Sequence, residues 1–82
     1  MKLSLYHYFG CSFCHRVRQA IDQLGVEVEL RDILSSSDRR RELVEATGRE
    51  TVPCLRIESE DGAVEWMHES SDIIAYFHRS PA

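Results

Sequence analysis

Gly10-Cys11-Ser12-Phe13-Cys14-His15 decides how this chain is read, because it stands between an apolar extended segment, Lys2 to Phe9, and an amphipathic helical one, Arg16 to Leu24. A strand, a tight turn and a helix start follow in that order. A CxxC pair at the first turn of a helix sets its leading sulfur beside unpaired backbone N–H groups and the positive end of the macrodipole, which favours thiolate over thiol. Cys11 is therefore the candidate nucleophile. With two residues between them, Cys14 reaches back to Cys11, so the pair can close and open a small disulfide ring while the scaffold stays in place. The chemistry that suits such a pair is thiol–disulfide exchange.

Outward from the motif the patterning is regular. Leu3, Leu5, His7 and Phe9 alternate with Lys2, Ser4, Tyr6 and Tyr8, the period of a strand. Val17, Ala20, Ile21 and Leu24 form one apolar helical stripe, and Gly25 stands where a left-handed C-cap is wanted. Val26, Val28 and Leu30 alternate with Glu27, Glu29 and Arg31, so the second strand has one buried and one charged face, as suits a sheet edge. Strand, helix and strand at this spacing make a right-handed βαβ unit with a parallel pair. Ser35, Ser36, Ser37 and Asp38 offer N-caps for a second helix running to about Thr47, closed by Gly48, with Leu43, Val44 and Ala46 as its thin apolar side.

Thr51-Val52-Pro53 leads into a third strand, Cys54 to Glu58, since a proline tolerates the first position of a strand. Asp61-Gly62 before Ala63 to Met67 carries the type I′ hairpin signature, so the third and fourth strands are antiparallel. Glu69-Ser70-Ser71-Asp72 opens the last helix, with Ile73, Ile74 and Phe77 as its packing face and Ser80-Pro81 ending it. The fold class is α/β, βαβ-α-ββα, with three helices on both faces of a four-stranded mixed sheet, and residues 1–82 form one domain.

Composition bounds the function. The chain has 82 residues, 43% hydrophobic and 29% charged, ordinary values for a small globular domain. A formal charge of -4 argues against a nucleic-acid binder, and Arg39-Arg40-Arg41 reads as a solvated helix face, a docking patch for an acidic partner being the alternative. No long apolar run marks a signal peptide or a membrane span, so the expected compartment is the reducing cytoplasm. Three cysteines, two of them in a CxxC, fit catalytic thiols better than a disulfide framework. Cys11-x-x-Cys14-His15 also spells a c-type haem attachment, which the missing export signal and the preceding strand oppose. A zinc site from Cys11, Cys14, His15 and Cys54 lacks a second spaced ligand pair. Cys54 reads as a buried strand cysteine, with a regulatory disulfide as the minor alternative, and Tyr6, Trp66 and Phe77 as core or cleft aromatics.

Three separated signatures, Gly-Cys-Ser-Phe-Cys at 10–14, Gly-Arg-Glu-Thr-Val-Pro at 48–53 and Ser-Ser-Asp-Ile at 70–73, resemble the glutaredoxins, the shortest form of the thioredoxin fold, over nearly the whole chain. The Glu69-Ser70 pair and the Ile-rich helix after it are also similar to the N-terminal glutathione-binding domain of glutathione transferases. The resemblance implies glutathione as co-substrate and glutathionylated or disulfide-containing proteins as partners, with Cys11 attacking mixed disulfides and Cys14 resolving protein disulfides. It implies a cis Pro53 that leaves the Val52 backbone N–H and C=O free for the cysteinyl part of glutathione. Ser70, Ser71 and Asp72 would hold the γ-glutamyl end, Arg49 the glycyl carboxylate, and Phe13 would border the tripeptide.

Two departures stand out. Ser12 replaces the usual proline while Phe13 keeps the ring, which bears on redox potential and rate. Phe9-Gly10 replaces the basic residue many members carry before the motif, so activation of Cys11 rests on the helix end and on Arg16. The resemblance thus implies a monomeric glutathione-dependent thiol–disulfide oxidoreductase, with no nucleic acid and no membrane among its partners. A transferase-like domain, or an iron–sulfur cluster carrier bridging two subunits, is the alternative.

Overall fold

A computed structural model, which describes residues 1–79, places the elements in the expected order: β1 (Lys2–His7), α1 (Ser12–Leu24), β2 (Glu29–Asp32), α2 (Ser37–Thr47), β3 (Cys54–Glu58), β4 (Val64–His68) and α3 (Ser70–Arg79). The expected stop at Ser80-Pro81 lies outside the described residues. The strands form one sheet in the order β2-β1-β3-β4. β1 runs parallel to β2 and antiparallel to β3, and β3 and β4 form the antiparallel hairpin.

β1 lies inside the sheet, and this sets its burial. Ser4, Leu5, Tyr6 and His7 are all buried. One face packs Leu5, Leu55 and Ile57 against Val17 and Ala20 of α1 and Ile73 and Phe77 of α3. The other packs Tyr6 and Cys54 against Leu43 of α2 and Ile33, with Trp66 partly buried beside them. Covering both faces leaves no side of β1 for solvent.

The caps follow the sequence. α1 ends on Gly25 at φ 67° and α2 on Gly48 at φ 78°, left-handed positions where a side chain would be strained. Among the candidate hydroxyls, Ser36 caps α2 by accepting the Arg39 N–H. Three details differ from expectation. β1 stops at His7 and β2 starts only at Glu29, so Val26 and Val28 pack against the core from a connector, and Leu30 is exposed at the sheet edge. Asp61-Gly62 is no type I′ turn, because only Gly62 has positive φ. The loop of residues 59–63 is instead a longer one, closed by Gly62 N–H to Ser59 C=O and by Ser59 N–H to Ala63 C=O, with the Asp61 carboxylate accepting the Ala63 N–H.

α2 is held through a narrow contact, since Leu43 is its one buried residue. Leu43→Ala should therefore lower the unfolding free energy by about 2–5 kcal/mol in urea titration, whereas Leu34→Ala at an exposed loop position should change it by less than about 0.5 kcal/mol.

Candidate active site

The strand ladders decide what meets at the functional end. Tyr6 pairs with Cys54, and Cys54 with His68, so the end of β1, the start of β3 and the end of β4 lie side by side in one row. Beyond that row the chain continues into residues 8–11, Val52-Pro53 and Glu69-Ser70 respectively. The three signatures thus leave the sheet from the same edge. The Val52–Pro53 peptide is cis, as the resemblance implied, and Pro53 is buried while Val52 is partly exposed.

Cys11 is the N-cap of α1, at φ -87° and ψ 117°. Its sulfur accepts the Cys14 N–H at 3.2 Å, its own N–H donates to the Tyr8 carbonyl at 3.2 Å, and its carbonyl takes the His15 N–H at 3.0 Å. The sulfur therefore occupies the place where the first turn of a helix presents free donors. Cys11 is 9% exposed and Cys14 is fully buried, and both are free thiols. Burial, followed by its hydrogen bond with Cys11, pushes the Cys14 thiol up, while the Tyr8 N–H and the Arg18 charge act the other way. Phe13 and Phe9 stand exposed on either side of the motif.

The other predicted residues divide cleanly. Ser70 is buried at the start of α3, with Ser71 and Asp72 exposed in the same first turn. Arg49 is exposed, and its charge acts to lower both the Cys54 thiol and the His68 imidazole. Arg16 is exposed and makes no hydrogen bond or ion pair among the described residues. The cation beside the motif is Arg18, whose Nη1 lies 3.1 Å from His7 Nδ1 and donates to the Tyr8 carbonyl at 3.4 Å. Spacing alone could have found it, since Cys14 and Arg18 are four residues apart on one helical face.

Two further features were not visible in the pattern. Glu69 has φ 72°, a left-handed conformation rare for a side chain of its size, and its carbonyl accepts the Ile73 N–H to begin α3. Cys54 turns to the α2 face, away from α1, where its sulfur lies 3.7 Å from His68 Nε2. Burial pushes the Cys54 thiol up to about 12. The four residues of the zinc alternative are accordingly not gathered. Among the described residues no group of three or more His, Cys, Asp or Glu side chains is gathered where it could hold a metal ion. Arg39, Arg40 and Arg41 each pair with a carboxylate, of Glu42, Glu50 and Asp38 respectively, so they form no bare basic patch.

The sheet order and the thiol-bearing helix start define the thioredoxin-like class. Comparison with known proteins narrows it: residues 3–61 match the family model Glutaredoxin, and the chain belongs to the glutaredoxin family. Among solved structures it resembles Leishmania TDR1, described as a trimeric glutathione transferase, at 30% identity and TM-score 0.77 over 98% of this chain and 18% of that one. Glutaredoxin 2 from Salmonella typhimurium in complex with glutathione matches at 27% identity and TM-score 0.72, over 94% of this chain and 33% of that one. The solution structure of glutaredoxin from Brucella melitensis matches at 25% identity and TM-score 0.67, over 93% and 77%. The chain thus spans a minor part of the two longer proteins and most of the third. No curated protein matches. No helix among the described residues is long and apolar enough to cross a membrane.

The environments of the three thiols predict their order of reaction. At neutral pH, iodoacetamide should modify Cys11 first by peptide mapping, and Cys14 and Cys54 only on unfolding or at strongly alkaline pH, because both are fully buried and pushed up. Equal labelling of all three would contradict this. His7 predicts a pH dependence of stability. Burial first, then the Arg18 charge, lowers its value below the ordinary 6.5 against the opposing pull of Asp32. The unfolded chain therefore takes the proton before the native one does, and the stability due to a neutral His7 is full above 6.5 and lost as pH falls below it. The urea midpoint should fall between about pH 7 and pH 5, and a flat profile over that window would argue against it.

Proposed function

We propose that this chain is a glutathione-dependent thiol–disulfide oxidoreductase that reduces protein–glutathione mixed disulfides and, through its second cysteine, protein disulfides. The observation that carries the reading is the Cys11 sulfur at the helix N-terminus, accepting the Cys14 N–H on the edge from which the Pro53 and Ser70 segments also emerge. Glutathione in the Salmonella relative supports the choice of thiol, and the family supports the reaction class.

In the proposed cycle the Cys11 thiolate attacks the glutathione sulfur of a mixed disulfide. The protein thiol leaves and takes a proton, and Cys11 carries the glutathione. A second glutathione thiolate then attacks that adduct, releasing oxidised glutathione and restoring Cys11. With a protein disulfide as substrate, Cys11 first takes one of its sulfurs and frees the other as a thiol; Cys14 then attacks Cys11 Sγ, the Cys11–protein bond breaks, the second protein thiol leaves, and two glutathione thiols reduce the resulting ring and depart as oxidised glutathione. Val52 offers a backbone N–H and C=O, neither of which bonds to backbone among the described residues, for strand-like pairing with the cysteinyl part of glutathione. Ser70, Ser71 and the first turn of α3 receive the γ-glutamyl carboxylate, Asp72 its ammonium, Arg49 the glycyl carboxylate, and Phe13 covers the tripeptide. The protein is proposed to work in the cytoplasm as a monomer.

A second reading has its own observation. The 30% identity to a glutathione transferase over 98% of this chain favours conjugation of glutathione to electrophiles. Assays of deglutathionylation and of conjugation separate the two.

Cys11→Ser should abolish both deglutathionylation and protein-disulfide reduction. Cys14→Ser should keep deglutathionylation within about threefold while lowering protein-disulfide reduction by about a hundredfold or more, because only the latter requires the ring to close. Loss of both activities in Cys14→Ser would overturn the one-thiol scheme.

A further inference from the structure

The chain lacks a cation immediately before Cys11, and the fold supplies one from further along α1. Arg18 lies back along the helix instead of extending into solvent. Its Nη1 meets His7 Nδ1 at 3.1 Å and the Tyr8 carbonyl at 3.4 Å, and its guanidinium lies 4.8 Å over the Phe9 ring. Phe9 in turn is braced edge-on against His7, 4.9 Å between ring centres. Arginine only donates, so His7 Nδ1 accepts and the neutral imidazole carries its proton on Nε2. The clamp holds residues 7–9, and Tyr8 among them meets both cysteines. The Tyr8 carbonyl takes the Cys11 N–H, and the Tyr8 N–H faces the Cys14 sulfur.

We propose that Arg18 is the positioning residue for Cys14: its guanidinium, fixed by His7, Tyr8 and Phe9, balances the negative charge that forms on the Cys14 sulfur when this sulfur turns on a Cys11 mixed disulfide. The inference rests on the thiol–disulfide reading above. In the step concerned the Cys14 thiol gives its proton to water and its sulfur attacks Cys11 Sγ. The bond between Cys11 and the glutathione sulfur breaks, and glutathione leaves as a thiolate that takes up a proton. One disulfide is exchanged for another, with no net oxidation.

The need for such a cation follows from burial. Cys14 is fully covered, and its thiol is pushed up first by burial and then by its bond with Cys11; the Tyr8 N–H and the Arg18 charge are the two groups that oppose this. Few other charged or titratable groups surround it. Cys11 shares its turn, and His7 stands behind Arg18 on β1 and faces Asp32 on β2. α3, which packs on α1, turns the apolar Ile73 and Phe77 inward. Cys14 stands one turn before Arg18 on the same face of α1, and the guanidinium lowers its thiol, a smaller influence than burial or the bond with Cys11. Arg16, exposed two residues earlier, has no comparable hold.

The test reads Cys14 directly, in a Cys11→Ser background, by its alkylation rate over the strongly alkaline range where it reacts while circular dichroism shows the protein still folded, with residue assignment by mass. Arg18→Gln should slow Cys14 about tenfold at a given pH and displace the profile upward by about one unit, Arg18→Lys should restore most of it, and Arg16→Gln, an equal change of charge, should leave it in place. In the cysteine-intact protein glutathionylated at Cys11, release of glutathione without added thiol should slow about tenfold in Arg18→Gln and recover in Arg18→Lys. An unmoved profile, or equal shifts from Arg16→Gln and Arg18→Gln, overturns the proposal. Should Arg18→Gln fail to fold, Phe9→Ala at an exposed position loosens the guanidinium while keeping its charge, and a Cys14 profile unchanged in that variant overturns the positioning role. If the intact protein forms no Cys11–glutathione adduct, the functional reading fails, while the alkylation profiles, which involve no glutathione, still decide the role of Arg18.

Discussion

The pairing of β1 along both of its edges is the constraint on which the rest depends. A strand without a free edge, covered by helices on both faces, must bury both of its sides, and it does so at the cost of enclosing Ser4, whose hydroxyl finds no partner. A hydroxyl left in that state costs about 1–3 kcal/mol, which the packing of Leu5 and Tyr6 on opposite faces has to exceed. In return the direction of each neighbour is fixed. With β2 parallel and β3 antiparallel, the chain leaving β1 emerges where β3 begins and β4 ends. The thiol pair therefore lies beside the Pro53 and Ser70 segments because of ladder register, before any contact among those segments is considered. A slip of one residue in that register would turn Leu5 and Tyr6 to the wrong faces.

The two faces are stabilised by different means. Beneath α1 and α3 the core is an apolar cluster, with the buried His7 at the end of β1 held by Arg18. Beneath α2 the single buried leucine is ringed by a polar network: the Tyr6 hydroxyl donates to Glu42 at 2.9 Å and accepts from Arg31 at 2.7 Å, Arg31 also reaches Glu29, and Arg39 bridges Glu29 and Glu42. Burial raises the Tyr6 phenol above its ordinary value, so it remains a hydroxyl and can serve both partners at once. Ion pairs this open to solvent contribute about 0–1 kcal/mol each, so the network acts mainly by setting the angle at which α2 crosses β1 and β2. The two thiols of the motif thus lie on the side with the larger apolar cluster.

Most of this was legible in the chain. The stripe of Val17, Ala20 and Ile21, the glycines at 25 and 48 and the serine cap of α2 are local signals whose physics acts within a turn or two, and the structure uses each as read, whereas Leu24 at the end of the stripe is left exposed. The unread features are those settled at a distance. Val26 and Val28 alternate like a strand, but the ladder with β1 begins only at Glu29, opposite Ser4. Asp61 keeps a negative φ because the loop has five residues, and its carboxylate serves the Ala63 N–H. Two arginines on α1 were equivalent in composition, and only the fold of residues 7–9 picks Arg18 over Arg16. The left-handed Glu69 carries no signature at all, being imposed by the change of direction between β4 and α3.

Cys54 and His68 show why proximity of a thiol and an imidazole is insufficient for chemistry. At 3.7 Å the two atoms are within reach of a proton exchange that would create an ion pair. Yet burial, the largest influence on each, acts in opposite senses on the two, raising the thiol to about 12 and lowering the imidazole, so both charged forms are disfavoured and the neutral pair persists. The Arg49 charge favours thiolate at Cys54 but also opposes imidazolium at His68, which leaves the exchange with no net assistance from that side. Cys11 differs in having the Cys14 N–H aimed at its sulfur and a small opening to solvent, neither of which needs a charged partner to form first. A regulatory disulfide through Cys54 would have to bring its sulfur through the sheet or lift α2 from it, against the packing of Leu43 and Tyr6. The same amino acid thus fills a core site on one face of the sheet and caps a helix on the other, and the difference lies in what surrounds the sulfur.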